Sequence, residues 1–180
     1  MGGSEETAAG PVSVEARLRD IQSITDAALS QLDEPELLAE LLDRTREALR
    51  ADTAAALLLD FSSGQLIATA AAGLEEEVAQ GVRIPVGHGF AGRIAAEHRP
   101  VVLDRVDHTT VLNPILWAKG IQSMMGVPMV AGARVIGVLH VGSLTPRRFT
   151  GDDVELLQLA ADRAATAVYE ASGGGAPAPG

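Results

Sequence analysis

Apolar residues recur every third or fourth position at both ends of this chain, and crowd into short, nearly unbroken runs in its middle. The first pattern is helical, because positions three and four apart share one side of an α-helix. Val14, Leu18, Ile21, Thr25, Ala28 and Leu32 predict one amphipathic helix over 14–32. Asp33, Glu34, Pro35 and Glu36 are start signals for a second helix, which carries Leu37, Leu38, Leu41, Leu42, Thr45 and Leu49 and ends near Arg50. Near the other end, Thr150 and Asp153 have the spacing of a capping box. Val154, Leu157, Ala161, Ala164 and Val168 continue a helix over 150–170.

The middle reads as strands. Residues 53–60 and 65–71 flank Ser62, Ser63 and Gly64, a hairpin turn. The run 82–86 contains Pro85, which places it at a sheet edge. A short helix over 89–98 stops before Pro100, and 101–103 forms a brief strand. Residues 107–120 form a loop with a helical turn over 113–119. Two strands, 122–131 and 134–142, meet at a tight turn on Gly132. Helices, hairpins and a closing helix in this order predict an α+β domain around an antiparallel sheet, not a doubly wound one. The domain is expected over 13–171, between a disordered segment 1–12 and a Gly/Pro-rich flexible tail or linker 172–180.

Composition narrows the function. The chain has 180 residues, 47% of them hydrophobic and 21% charged, enough apolar material for one ordinary core. Its formal net charge of −10 opposes binding to nucleic acid or to anionic membrane surfaces. No secretory signal is visible and no run is long enough to span a bilayer, so a cytoplasmic location is expected. The absence of cysteine excludes disulfides, thiolate metal sites and thiol nucleophiles.

Gly87, Gly89 and Gly92 match G-x-G-x-x-G. A dinucleotide fold would open with that motif and continue in βαβ units, whereas two helices precede it here. The plain reading is a glycine turn feeding a helix N-terminus; a second reading is that the free amides of that terminus meet an anionic group on a ligand. His88 and His98 are expected to face water. His140 lies in an apolar strand on the face of Ile136 and Val138, where a hydrogen-bonded core histidine is favoured over a ligand contact. No metal-ligand spacing and no catalytic set stands out. Phe90, Ile94, Leu112, Ile115, Leu116, Trp117, Met124 and Met125 form an apolar cluster around a loop. It is either a lid that seals the core or a lid over a small-molecule cavity. The candidate ligand contacts are Phe90, Ile94, Leu112, Ile115, Trp117, Met125 and His140.

The segments RIPVGHGFAGRIAAEHRPVVLDRV (83–106) and GIQSMMGVPMVAGARVIGVLHVGSLTPRRFTGDDVELLQLAADRAATAV (120–168), with the paired leading helices and TAAALLLD, resemble a GAF domain. The resemblance implies five or six antiparallel strands, long first and last helices on one face, and short helices and loops over a pocket on the other. It implies a sensor module of a bacterial signalling protein that binds a small, unidentified ligand. Such modules form a homodimer through the first and last helices and control an attached output domain. The chain is especially similar to GAF domains preceding metal-dependent serine/threonine phosphatases, whose paired aspartate motifs it lacks. Covalent bilin attachment and methionine sulfoxide reduction in the family need cysteines. Cyclic-nucleotide members carry Asn-Lys and then F-x3-D-E; here Phe149 and Asp153 match, but Val154 replaces the glutamate. Haem-binding members carry a histidine shortly before G-V-P, where this chain reads WAKGIQSMM, and His108 is a poor substitute. The cofactor is therefore unknown, with haem disfavoured. The alternative is a dimerisation module with a collapsed pocket, and a charge introduced at Ala161 or Ile21 would probe its interface.

Overall fold

A computed structural model describes residues 13–173. The expected segment 1–12 and most of the expected tail therefore lie outside the described residues. Six strands form one sheet in the order β3-β2-β1-β6-β5-β4. They are β1 (Thr53–Asp60), β2 (Gln65–Ala72), β3 (Arg83–Pro85), β4 (Val101–Leu103), β5 (Ser123–Ala131) and β6 (Arg134–Ser143). Every neighbouring pair is antiparallel, as the hairpin-rich pattern predicted. At the β1–β2 turn the Asp60 carboxylate accepts from the Ser62 hydroxyl and amide and from the Ser63 hydroxyl. Those bonds hold its pKa down to about 2.

Three long helices cover one face: α1 (Val14–Thr25), α2 (Glu34–Leu49) and, last in the chain, α6 (Gly151–Ala171). Leu38, Leu41 and Leu42 of α2 and Leu157, Ala160, Ala161 and Ala164 of α6 meet Ala54, Ala56, Met125, Val127, Leu139 and Val141 of the sheet. The helix ends follow the sequence signals. Asp33 caps α2, and Thr150 and Asp153 cap α6 reciprocally. The short helices α3 (Glu75–Ala79), α4 (Gly89–Glu97) and α5 (Pro114–Lys119) cover the other face over a separate apolar cluster that includes Leu57, Leu66, Phe90, Ile94, Met124 and Val138. Among the described residues no helix is long and apolar enough to cross a membrane.

The expected helix over 14–32 is broken. It ends at Thr25, and a 3-10 helix follows over Ala27–Gln31. Asp26 causes the break, since its carboxylate caps the second segment through the Ala28 amide at 2.9 Å, in competition with helix continuation. Arg44 fixes the junction by donating to Asp26 (3.1 Å) and to the Ser23 carbonyl (2.8 Å). The buried stripe also differs from the expected one. Ile24 and Leu29 are buried, whereas Val14 is 73% and Leu18 is 52% exposed.

Two further expectations change. Helix α3 was not expected, because its first turn is Glu75, Glu76 and Glu77. And Ile136 does not share the face of His140. A bulge pairs Met129 with Gly137 and Val130 with Val135, leaving Ile136 without an opposite residue. The extra residue shifts the alternation, so Ile136 packs toward the helices while Val138 and His140 face the short-helix side.

The glycine motif is a packing device. Gly87 (φ +88°) and Gly89 (φ +65°) turn the chain into α4, and Gly92 lies against β3, where an added Cβ would stand 2.3 Å from the Pro85 carbonyl oxygen. Gly92→Ala is therefore expected to destabilise the fold by about 1–3 kcal/mol, despite alanine's better helix propensity, because backbone rather than a side-chain tip must move. Urea unfolding measures this; an unchanged midpoint would show that α4 does not pack this tightly on β3.

Candidate functional site

Between β6 and the three short helices lies a small cavity. Its apolar walls include Ile84, Phe90, Val111, Leu112 and Leu116, and its polar groups come from Glu77, Asn113 and His140. About 20 Å³ of it is open to the centre of a water molecule, which is space for a single water.

Local structure explains each polar group. Glu77 stands in α3 behind buried Leu74, so the short helix turns one of its three glutamates inward, where it is 0% exposed. Asn113 is the N-cap of α5 and precedes Pro114, the usual first-turn proline. Its Oδ1 accepts from the Ile115 amide at 3.0 Å, and its Nδ2 donates to Glu77 Oε1 at 2.5 Å. His140 is buried on β6, with the Phe90 ring edge-on at 6.0 Å.

Two buried polar atoms of these residues remain without a hydrogen-bond partner, Glu77 Oε2 and His140 Nδ1. His140 Nε2 lies 4.0 Å from Glu77 Oε2, beyond hydrogen-bond reach. Burial pushes the Glu77 carboxyl up to about 7, with the Glu76 charge adding to the rise and the Asn113 bond opposing it. Burial lowers His140 to about 4. At neutral pH the imidazole is uncharged, so the pair is a carboxyl group beside a neutral ring rather than an ion pair. The expected core histidine is buried as predicted, but its Nδ1 lacks the hydrogen bond that such a residue ordinarily has.

Of the candidate contacts, Phe90, Leu112 and His140 line the cavity. Leu112 is 59% exposed and lies over Gly89, forming a thin roof. Ile94 is fully buried under α4 against Gly126, where an added Cβ would fall 2.6 Å from its Cδ1. That close approach is what the small residues of the β5–β6 hairpin permit. Ile115 and Trp117 pack around the cluster without reaching the cavity wall. Trp117 stacks on His108 with ring centroids 3.9 Å apart and donates from Nε1 to the Val111 carbonyl, so it braces the loop from outside. Met125 is on the wrong face. Strand alternation sends it into the core under the long helices, and Met124 takes the cavity side of the sheet. His88 and His98 are exposed, as expected.

Sequence reasoning missed Glu77, Asn113 and Val111 as cavity lining, and placed Leu116 in the apolar cluster without counting it among the ligand contacts. The Asn-Pro cap was a readable signal for Asn113. Nothing in the Glu-Glu-Glu triplet distinguishes the inward glutamate except its spacing from Leu74. Among the described residues no group of three or more His, Asp or Glu stands close enough to hold a metal ion.

A family model described as GAF domain matches residues 31–168. No curated protein matches the chain. Among solved structures, the GAF domain of a phosphoenolpyruvate-protein phosphotransferase from Coxiella burnetii superposes with a TM-score of 0.80 at 21% identity, covering 91% of this chain and 98% of that one. The GAF domain of the Acinetobacter phosphoenolpyruvate-protein phosphotransferase gives 0.73 at 20% identity, with 90% and 95% covered. Free methionine-R-sulfoxide reductase from Neisseria meningitidis, solved in complex with its substrate, gives 0.65 at 23% identity, with 89% and 96% covered. At these identities the likeness is one of fold.

Proposed function

The chain belongs to the GAF domain family, a family of sensory and regulatory modules, and from that premise we propose that it is the non-catalytic sensor part of a bacterial, cytoplasmic signalling protein. It binds a small ligand in the cavity under α3, α4 and α5. It dimerises through α1 and α6 and controls an attached output domain, for which the sequence resemblance favours a metal-dependent serine/threonine phosphatase. The observation that carries this reading is that two residues lining the cavity, Glu77 and His140, each hold a buried polar atom without a hydrogen-bond partner. Folded proteins leave few such atoms unmet, and each costs about 1–3 kcal/mol unless water or a ligand satisfies it. A non-catalytic role is supported by the chemistry of the lining. It includes no hydroxyl or thiol nucleophile beside the acid. One neighbour in fold is a reductase, and in this family that chemistry depends on cysteines, which this chain lacks.

A thermal-shift screen with a metabolite panel, together with an absorbance spectrum of the purified protein, tests the proposal. A saturable rise in melting temperature that is lost when Leu116→Trp fills the cavity is expected. The small volume favours one competing reading, a dimerisation module whose pocket has collapsed; a panel without any saturable response would support it.

Exposure supports one choice of dimer surface over another. Ala161 is 0% exposed and covers the sheet, and Ile21 also packs inward, so charges there would damage the fold rather than report on an interface. Val14 and Leu18 of α1 form an exposed apolar edge. Leu18→Glu is expected to convert the dimer to a monomer in analytical ultracentrifugation while changing monomer stability by less than about 0.5 kcal/mol. A dimer that persists would move the interface elsewhere.

A further inference from the structure

We propose that the cavity recognises a small cationic nitrogen group, an ammonium or amidinium carried by the ligand, held between the Glu77 carboxylate and the His140 imidazole. The inference rests on the sensor reading of this cavity and adds the charge and donor character of the ligand. Glu77 and His140 are 0% and 2% exposed, and each presents an atom with no partner. An ionised carboxylate only accepts hydrogen bonds, so the group that satisfies Glu77 Oε2 must donate. Asn113 already spends its amide on the other oxygen. Among the described residues no cation supplies the missing charge. Lys119 of α5 is paired with Glu76 at 3.1 Å on the outer side, and no arginine lines the cavity.

The charged and titratable groups around Glu77 are therefore Glu76 on its own helix, Lys119 engaged by Glu76, and the neutral His140 of β6. Once Glu77 is ionised, they leave a buried negative charge for the ligand to answer. Among the described residues the feature that favours an anion is the start of α4, whose first residues Gly89, Phe90 and Ala91 reach the cavity and whose N-cap His88 makes no capping side-chain bond. That partial charge begins at an exposed residue, whereas the full charge of Glu77 is enclosed, so the carboxylate decides the sign. Binding a cation to Glu77 displaces the proton that burial favours there, which ties affinity to pH. With half-ionisation near 7, methylammonium should bind about tenfold more weakly at pH 6 than at pH 8.

The test is thermal shift on the full chain at constant ionic strength with methylammonium chloride, sodium chloride and sodium acetate. A saturable rise with methylammonium alone, weakened at pH 6 and absent in Glu77→Gln, is expected. The pH dependence is read on the unaltered chain, so it stands even if the variant folds poorly. An equal rise with sodium chloride, a rise with acetate, or a methylammonium response indifferent to pH would overturn the charge assignment. An anionic or neutral metabolite whose binding is lost in Leu116→Trp but kept in Glu77→Gln would overturn it too, while leaving the sensor reading intact. A whole panel without saturable binding would instead remove the sensor reading beneath it.

Discussion

Glu77→Gln is expected to be more stable than the parent chain by about 1 kcal/mol at pH 5 and by about 3 kcal/mol at pH 8. The carboxyl group rises from 4.5 in the open chain to about 7 in the fold, and a change of that size corresponds to about 3 kcal/mol. Its folded value lies above its unfolded one, so its contribution is complete below pH 4.5 and is lost as pH climbs through 7. Glutamine keeps the volume and the acceptor for Asn113 Nδ2 but has no charge to bury. His140 acts with the opposite sign. Its value falls from 6.5 to about 4, so its contribution is complete above pH 6.5 and is lost as pH drops through 4. The two slopes oppose each other between pH 4.5 and 6.5, where the parent chain should show little net dependence from this pair. Removing the carboxyl exposes the histidine slope, and stability should then fall on acidification. His140→Gln should expose the carboxyl slope, with stability falling as pH rises. Urea unfolding of the three proteins across this range measures both. Parallel profiles for all three would mean that neither group is enclosed as described.

Leu157→Ala should cost about 2–5 kcal/mol, the usual range for emptying a fully enclosed leucine site. Leu157 is 0% exposed and lies in the layer between α6 and the sheet, among alanines that cannot expand to fill the space. Leu159, two residues on and 38% exposed, is the matched control, and its alanine variant should change stability by less than about 1 kcal/mol. Chemical denaturation distinguishes them. A loss below about 1 kcal/mol at Leu157 would show that α6 is not docked on the sheet through this stripe.

These two experiments address opposite sides of the sheet, which were unequally readable in the sequence. The helical side was largely legible. Asp33 and Thr150 start helices where caps were expected, and Leu38, Leu41 and Leu157 face inward on the predicted period. Hairpin turns at Gly64 and Gly132 set the antiparallel pairing. Asp26 defeated the first helix because a single side-chain cap, backed by Arg44 from 18 residues away, overrides a continuous apolar period. Met125 was misplaced because adjacent methionines are equivalent in composition, and only the register against β6 tells which one faces the long helices. The cavity was half legible. Phe90 and His140 stand out as an aromatic and a polar residue in apolar surroundings. Glu77 does not, since it becomes special only through Asn113, 36 residues later, and His140 on a distant strand. Such a site depends on tertiary contacts, and no local pattern encodes them.

The most direct test of the account uses the panel compound that raises the melting temperature most. Titrating it into 15N-labelled protein, while following backbone amides and the His140 ring nitrogens, locates its binding site. The account predicts saturable changes centred on Glu77, Val111, Asn113 and His140, with the α1 and α6 face unmoved. Changes confined to the long helices, with the His140 ring unaffected at saturation, would contradict it.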